Sequence, residues 1–459
     1  MARMDDDRIV LIGTSRNDSG SALLVVRLLA DGTPDPAFGN SGTVTAVVGD
    51  GNTEGIAVAV LGNGRILAAG STEKDTTRRM FVSRLLIDGT PDAGFAEGGT
   101  FISAVSKAEH LNCMALQSDG AILLGGDVIG DVTGSGCIIR LTAAGALDGS
   151  FGNGGVVEHT SYGSEQDMMV NDMTVDASGK ILATGLTNFN SNNDVFVMRL
   201  LNDGGLDPAF GLAGETVVTN NAFDEFASAI VLLPGGDLYT VGTRLQIGGD
   251  DLLFHHFNAS GAPLALGGDV DWQLEHPGSE YASAMRMDAH GHLVVSLTMY
   301  DENFIARATV LRLAIPPAVD AAFGADGWLL APDLESEAGG ILFQPDGQLL
   351  FCGADVPSEG TNTAWVARYG DIPTSIDGPA PTVQAVLSPN PCTGRFTIHA
   401  DAAIDRLQVL DATGRVVLDD RSITRGPRTL QLPSSAVAGV YAVSLWSGAY
   451  RSVQRLVVE

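Results

Sequence analysis

Acidic side chains recur at one place in this sequence, in the short polar segment that precedes an apolar strand pattern in each of its repeated units. Carboxylates bind hard cations such as Ca²⁺, and a concentrated negative rim attracts a basic partner. No segment has the Asp-x-Asp-x-Asp-Gly spacing of an EF-hand, so a dedicated calcium loop is not indicated. No cofactor is predicted; Ca²⁺ bound by these carboxylates is left open, and solvated loops of an acidic protein are the alternative. The candidates are Asp50, Glu54, Glu165, Asp167, Asp224, Glu225, Asp333 and Glu335, with Glu109, Glu275, Glu280 and Glu337 at similar places.

Histidines are concentrated in one part of the chain, which raises the question of a metal site. Adjacent residues on a strand point to opposite sides, so His255 and His256 are not expected to share a ligand. His290 and His292 flank a predicted hairpin turn on one side of the fold, whereas His276 falls in a loop on the other. The sequence therefore argues against a shared histidine site.

Motifs of hydrolytic catalysis are absent from the sequence, which contains no Gly-x-Ser-x-Gly, His-Glu-x-x-His or P-loop. We therefore predict no catalytic residue. Because two carboxylates can act as acid and base, a glycan- or peptide-processing enzyme stays open as an alternative. The four cysteines lack paired spacing and are interpreted as small apolar residues.

The elements that must position these side chains repeat every 56–59 residues. In each copy a Phe follows an Arg by eleven residues, with an Asp between them in a turn segment. A residue that recurs in nearly every unit is expected to build the scaffold, and we predict that each Phe packs between neighbouring units. The repeated residues are Arg27, Arg84, Arg140, Arg199 and Arg312, with Phe38, Phe95, Phe151, Phe210 and Phe323.

The pattern of each unit predicts four short antiparallel strands, and the sequence shows no helical periodicity in these units. In the unit 43–99, Asn63-Gly64 is a strong hairpin signal between two apolar runs. Stacked four-stranded units of this size predict an all-β propeller. We predict seven blades over residues 1–369 with the first incomplete; an eight-bladed ring or an open array is the alternative. Residues 8–13 align with 65–70, from which we expect that an upstream segment, with any signal peptide, is missing.

Charge is distributed unevenly along the 459 residues. Residues 1–379 carry 49 acids against 18 Lys and Arg, whereas residues 380–459 carry six acids and eight Arg. The first part therefore repels nucleic acid and anionic lipid, and it attracts cations. No stretch approaches the roughly 20 apolar residues of a membrane span.

The pattern Arg-Leu-x-x-Asp-Gly-x-x-Asp-x-x-Phe-Gly resembles the delta-60 repeat. This resemblance covers residues 1–369 and implies a bacterial, propeller-forming repeat of uncertain function, with no known catalytic residues to transfer. The fifth unit departs most from the repeat, since His256 and Gly267 replace its Arg and Phe. In addition, Leu297 replaces the Gly that recurs six residues after each hairpin turn, at Gly70, Gly126, Gly185, Gly242 and Gly353.

A second domain is predicted at 385–459, after a Pro- and Gly-rich linker at 370–384. Its short strand patterns predict a small Ig-like β-sandwich. The segment resembles the C-terminal sorting domain of the type IX secretion system, although Ser388 stands where that family often has Tyr. The resemblance implies an interaction with the type IX secretion machinery and export to the cell surface or beyond; an ordinary Ig-like module is the alternative. The matching residues include Pro389, Asn390, Pro391, Gly394, Gly414, Arg415, Gly439 and Tyr441.

Loop composition varies most between the units, which is typical of a binding scaffold. The leading hypothesis is therefore a secreted or cell-surface propeller that acts in binding, adhesion or structure, with a surface glycan or a protein as ligand. The alternatives are the processing enzyme, with its site at the channel mouth, and a propeller that only completes a larger surface assembly.

Overall fold

The computed structural model divides into two compact units, Met1–Thr374 and Ser375–Glu459. All regular elements in the described part of the chain are β-strands. The described residues are 1–105, 107–130, 134–161, 167–189, 192–220, 222–265, 271–274, 278–301, 304–331, 335–356, 362–370, 385–400, 406–410, 415–421, 428–434, 436–447 and 450–458.

Seven antiparallel sheets account for the described strands of the first unit. The first four sheets contain β1 (Ala2–Arg3), β2 (Ile9–Asn17), β3 (Gly20–Leu28) and β4 (Thr43–Ala46); β5 (Thr53–Val60), β6 (Ile66–Lys74), β7 (Thr77–Leu85) and β8 (Thr100–Ile102); β9 (Ala108–Leu116), β10 (Ile122–Ile129), β11 (Gly134–Leu141) and β12 (Val156–His159); and β13 (Met168–Val175), β14 (Ile181–Phe189), β15 (Asn192–Leu200) and β16 (Glu215–Val218).

The last three sheets of the first unit follow the same order, with small additions. In the fifth and sixth sheets, two strands pair with the third strand: a two-residue strand and, farther along the chain, a strand of three or four residues. These sheets contain β17 (Asp224–Leu232), β18 (Leu238–Leu245), β19 (Asp251–Phe257), β20 (Pro263–Leu264) and β21 (Asp271–Leu274); β22 (Ser279–Met287), β23 (Leu293–Tyr300), β24 (Ala306–Ala314), β25 (Ala318–Val319) and β26 (Trp328–Leu330); and β27 (Ser336–Phe343), β28 (Leu349–Asp355) and β29 (Thr363–Tyr369).

The sheets are arranged as the blades of a propeller, as the repeat predicts. The first strands of the second to seventh sheets contact one another in succession, from β5 with β9 to β22 with β27, so they lie nearest the axis. Ile9 and Leu28 of the first sheet share a core cluster with Leu350 of the seventh, and Arg368 donates a hydrogen bond to the Ala30 carbonyl. These contacts close the ring, so the open array is not what forms. β1 has two residues, and β27–β29 are the described strands of the seventh sheet.

The blades begin at a different point of the repeat than the unit 43–99 implies. Thr43–Ala46 pairs with β3 and is the outermost strand of the first sheet, not a partner of β5. The chain turns back there because Gly42 donates to the Phe38 carbonyl while its own carbonyl accepts the Arg27 N–H. A sequence repeat shows the length of the unit but not the residue at which a blade begins, so the start of each blade could not be predicted from the sequence.

Two kinds of glycine shape most of the blades. Gly64 has a φ of 77° in the turn between β5 and β6, which confirms the predicted hairpin. Gly70 lies opposite a β-bulge, where a Cβ atom would sit 1.8 Å from the Glu54 carbonyl oxygen. The same close approach explains the recurring Gly126, Gly185, Gly242 and Gly353.

The second unit is a small two-sheet sandwich. One sheet pairs β30 (Ala385–Ser388), β31 (Arg395–Ala400) and β34 (Arg428–Gln431); the other has the order β33 (Val416–Asp420), β32 (Arg406–Leu410), β35 (Gly439–Ser447) and β36 (Tyr450–Val458). Phe396 of the first sheet and Leu407, Val443 and Leu456 of the second are fully buried in one cluster. Inward apolar side chains of both sheets therefore build the core.

Candidate binding site

The repeated Arg, Asp and Phe residues form a contact that links neighbouring sheets. Arg27 Nε donates to Asp35 Oδ2 at 2.8 Å, and its guanidinium carbon lies 4.5 Å from the centre of the Phe38 ring. Phe38 is fully buried in a cluster that holds Val25 of the first sheet and Ile66 of the second. The same guanidinium–ring contact recurs at Arg84–Phe95, Arg140–Phe151, Arg199–Phe210 and Arg312–Phe323.

The guanidinium groups of Arg27, Arg84, Arg140 and Arg199 also reach the following sheet. Arg84 Nη1 donates to the Ala143 carbonyl at 2.8 Å, and Arg199 Nη1 donates to the Ala259 carbonyl at 2.8 Å. Arg27 and Arg140 make the equivalent bond to the carbonyls of Ile87 and Asn202. These contacts are consistent with the scaffold role that the sequence predicts for the repeated residues.

The acidic candidates among the described residues lie at the entry end of the ring, which we define as the end where the first strand of each sheet begins. Asp50 is exposed. Glu54 pairs with Arg16 and Arg78, and the hydrogen bond from Arg78 lowers the pKa of the Glu54 carboxyl. Asp167 Oδ1 accepts the Gly134 N–H.

The remaining candidates are engaged in structural contacts or fall outside the described residues. Asp224 accepts the Asn193 N–H at 2.7 Å, and Glu225 is buried against Arg244 at 2.6 Å. Glu335 is half-buried, whereas Glu165 and Asp333 lie outside the described residues.

Some of these carboxylates join sheets and do not form a solvated rim. Glu109 is fully buried; it accepts the N–H of Met80, on the third strand of the preceding sheet, and the hydroxyl of Ser103. At the same position of the seventh sheet, Ser336 Oγ accepts the N–H of Ala308. Within the described residues no group of three or more His, Cys, Asp or Glu side chains could hold a metal ion.

A different group of side chains stands out at the entry end of the fifth to seventh sheets. Tyr281 and Tyr300 meet edge to face, with ring centres 5.7 Å apart and planes at 86°. The Tyr281 hydroxyl donates to Asp250 Oδ2, and the Tyr300 hydroxyl donates to Glu337 Oε1 at 3.1 Å. We call Asp250, Tyr281, Tyr300 and Glu337 the tyrosine–carboxylate site.

The local backbone explains why these side chains meet. Tyr281 and Tyr300 are diagonal neighbours across β22 and β23, whose register pairs Ser279 with Tyr300. Gly249 and Gly278 have positive φ, and a Cβ on either would lie about 2 Å from the carbonyl oxygen of Gly278 or Tyr300, respectively. The two glycines therefore let the β18–β19 loop approach the start of β22.

Two further carboxylates lie buried beside the site. Glu280 precedes Tyr281, and burial together with the charges of Asp251 and Asp250 raises its pKa to about 8. Burial, followed by the hydrogen bond to Asp250 and its charge, raises the pKa of Tyr281 to about 12. Glu280 and Tyr281 therefore keep their protons at neutral pH beside Asp250.

Exposed apolar side chains flank the site on two loops. Ile247, in the β18–β19 loop, is fully exposed, and Phe304, in the β23–β24 loop, is 86% exposed. Phe304 has a φ of 59°, an uncommon conformation for a bulky residue. Both loops connect second to third strands, so they leave their sheets at the same end as the tyrosines.

The described histidines lie in separate contacts, except that the rings of His290 and His292 lie 6.4 Å apart. His256 replaces the repeated Arg and stacks on Tyr239, with ring centres 4.3 Å apart. His255 is buried on the same strand, and His292 pairs with Asp288 at 2.9 Å near the opposite end of the ring. His276 and Gly267 lie outside the described residues.

Sequence reasoning missed the two tyrosines. Tyr281 occupies the position that holds Glu54, His110, Met169, Phe226 and Glu337 in other sheets. Because the residue type varies at this position, the only available signal was the small number of Tyr, seven in the chain.

The predicted sorting-motif residues hold the beginning of the second unit to its end. Asn390, between Pro389 and Pro391, accepts the Val457 N–H at 2.8 Å. The Gly394 carbonyl accepts the Leu432 N–H at 2.8 Å. The Tyr441 hydroxyl donates to the Val437 carbonyl at 2.7 Å. Gly439 begins β35, Arg415 precedes β33, and Gly414 lies outside the described residues.

The fold and these contacts define an all-β protein with a repeat propeller and a separate C-terminal module. Residues 387–459 match the secretion system C-terminal sorting domain. Residues 5–38, 61–95, 117–151 and 177–210 match a β-propeller domain of unknown function, DUF5122, and each matched segment ends at a repeated Phe. The predicted combination of propeller repeats with a type IX sorting domain is confirmed, and the protein is exported to the cell surface or the extracellular space.

Solved structures with similar folds resemble the chain only distantly. Polysaccharide lyase Uly1 has 11% identity and a TM-score of 0.46, over 79% of this chain and 87% of that chain. A protein of unknown function from Dyadobacter fermentans has 13% identity and a TM-score of 0.42, over 80% and 92%. Drosophila Semaphorin 2a has 8% identity and a TM-score of 0.41, over 94% and 93%. A search of curated proteins gave no match.

The described residues contain no helix long and apolar enough to cross a membrane. The four cysteines are free thiols, and Cys113, Cys137 and Cys392 are buried. Burial raises the pKa of Cys113, which makes a reactive thiolate unfavourable there.

Proposed function

We propose that this exported protein is an extracellular binding module and that its ligand binds at the tyrosine–carboxylate site. The observation that carries the proposal is the Tyr281–Tyr300 pair, whose hydroxyls are held by Asp250 and Glu337 at the entry end of the ring. Neither tyrosine belongs to the repeated Arg, Asp and Phe contact that links the sheets.

The chemistry of the site suits recognition. Tyrosine offers a large apolar ring with a polar tip and loses little side-chain entropy on binding. Here the hydroxyls are already fixed by carboxylates, so the rings are oriented before a ligand arrives, which lowers the cost of binding. Ile247 and Phe304 add exposed apolar surface around the rings.

The experiment that tests the proposal is a glycan and peptide array probed with the full chain. We expect specific binding that is lost in Tyr300→Leu and retained in Asp50→Asn, an exposed acid at the same end of the ring. Both variants should keep the wild-type melting transition. Binding that survives Tyr300→Leu would contradict the proposed location.

A processing enzyme is the second candidate, and Glu280 favours it. A buried carboxyl with a pKa of about 8, beside Asp250 and Tyr281, is protonated at neutral pH and can serve as a general acid. Each ligand found on the array should therefore be followed for product formation. Turnover by the wild type that is lost in Glu280→Gln, without loss of ligand binding, would assign the protein to the enzyme class.

A further inference from the structure

We infer that the tyrosine–carboxylate site recognises a cationic group and that its ligand is a polypeptide presenting a lysine ammonium. This inference rests on the proposed function and adds the chemistry of the ligand. It is drawn from the two tyrosine rings together with the charges around them.

The rings supply the first part of the argument. The face of an aromatic ring carries partial negative charge, so it attracts a cation placed over it. The rings of Tyr281 and Tyr300 stand at 86°, so they form a corner and not a parallel slot. A compact ammonium can contact both walls of such a corner, whereas a planar guanidinium stacks best on a single ring face.

Charge supplies the second part. Asp250 and Glu337 each accept a tyrosine hydroxyl, so two carboxylates lie at the two tyrosine rings. An ammonium ion bound against the rings would offset the charge of these two carboxylates, whereas a neutral sugar would not.

The surroundings favour a polypeptide over a small free cation. Ile247 and Phe304 extend from the two loops beside the site and are exposed. Apolar surface next to a charged corner fits the aliphatic stem of a lysine and its neighbouring side chains. The first part of the chain carries 49 acids against 18 Lys and Arg, so a basic partner is also attracted over a longer range.

The test titrates the full chain with a short lysine-containing peptide and with the same peptide acetylated on its lysines, at physiological ionic strength. We expect the acetylated peptide and Tyr300→Leu each to weaken binding by about fivefold or more, the range of a desolvated cation–π contact. Tyr300→Leu does not change the net charge, so its effect separates site binding from general attraction to an acidic surface. Glu337→Gln should weaken binding, while the charge-matched Asp50→Asn should not.

The outcomes are distinct. Equal binding of both peptides, or equal losses in Glu337→Gln and Asp50→Asn, would overturn the inference. If the lysine peptide does not bind but an uncharged glycan binds and is lost in Tyr300→Leu, the proposed function stands and the cationic ligand is wrong. If no ligand on the array or in the titration depends on Tyr300, both the inference and the proposed function fail.

Discussion

The guanidinium of Arg27 covers the ring of Phe38, with its central carbon 4.5 Å from the ring centre, while the same group bonds Asp35 and a carbonyl of the next sheet. One side chain thus fixes the turn between the third and fourth strands of its own blade and the equivalent turn of the following blade. Because this arrangement recurs around the ring, it ties the spacing of the sequence directly to the contact between blades.

The buried Phe of this arrangement should carry a large part of the stability between sheets. Phe95 is fully buried between the second and third sheets. Phe95→Ala is expected to lower the free energy of unfolding by about 3–5 kcal/mol, because it leaves a cavity in a packed core. Urea denaturation measures this change. Ile87→Ala, at a site 52% exposed, should change the free energy of unfolding by less than about 1 kcal/mol. Equal losses in the two variants would contradict the role of Phe95 in packing neighbouring sheets together.

The buried ion pair gives a second prediction. Arg27→Met leaves the buried Asp35 with Arg8 at 3.2 Å as its remaining cation, and we expect a loss of about 3 kcal/mol. Arg27→Lys should recover only part of it, because an ammonium cannot bond Asp35 and Ile87 in the fork geometry of a guanidinium. Chemical denaturation tests both variants. Arg16→Met, which breaks an exposed pair with Glu54, should cost no more than about 1 kcal/mol.

The spacing of Arg, Asp and Phe and the Asn63-Gly64 turn were sufficient to predict a propeller, because each is a local requirement of its strand or turn. The residue at which each blade begins was not predictable, since Thr43–Ala46 pairs with β3 through a turn whose direction depends on three-dimensional contacts. The recurring Gly70 was visible in the sequence, but its reason, a carbonyl oxygen facing it across a bulge, required the structure.

The acidic residues were harder to interpret, and register explains why. Glu54 and Glu109 look equivalent in the sequence, but the pairing with the second strand places Glu109 at the position of Thr53, one residue away. A shift of one residue moves a side chain to the other face of a strand. Glu109 is therefore buried between sheets, where burial raises its pKa, whereas Glu54 pairs with arginines near the surface.

Stability should depend on pH through the buried Asp194. Burial raises the pKa of Asp194 from 3.8 to about 6, and its Oδ1 accepts the Asn220 N–H. The folded state holds this proton more tightly than the unfolded state, so the stabilisation is complete below pH 3.8 and is lost as pH rises through about 6. The loss is at most about 3 kcal/mol.

Asp194→Asn should remove this dependence, because the amide keeps an acceptor for Asn220 and does not ionise. Its melting temperature should therefore fall less than that of the wild type between pH 4 and pH 7. Asp75→Asn, at an exposed hairpin position, is the matched control and should follow the wild-type curve. A wild-type slope that persists in Asp194→Asn would assign the titration to other groups.

The last prediction concerns export. The core of the second unit is built from its own residues, such as Phe396 and Leu456, so removing residues 375–459 should leave the propeller folded. Supplied with a cleavable signal peptide in a bacterium with type IX machinery, this truncated chain should stay in the periplasm, whereas the full chain should reach the surface or the medium. Tyr441→Phe, which loses one hydrogen bond to Val437 at a cost of about 1 kcal/mol, should still be exported. Cell fractionation distinguishes these results. Truncated protein outside the cell would show that the propeller carries its own export signal, and a failed melting transition would show instead that the two units depend on each other for folding.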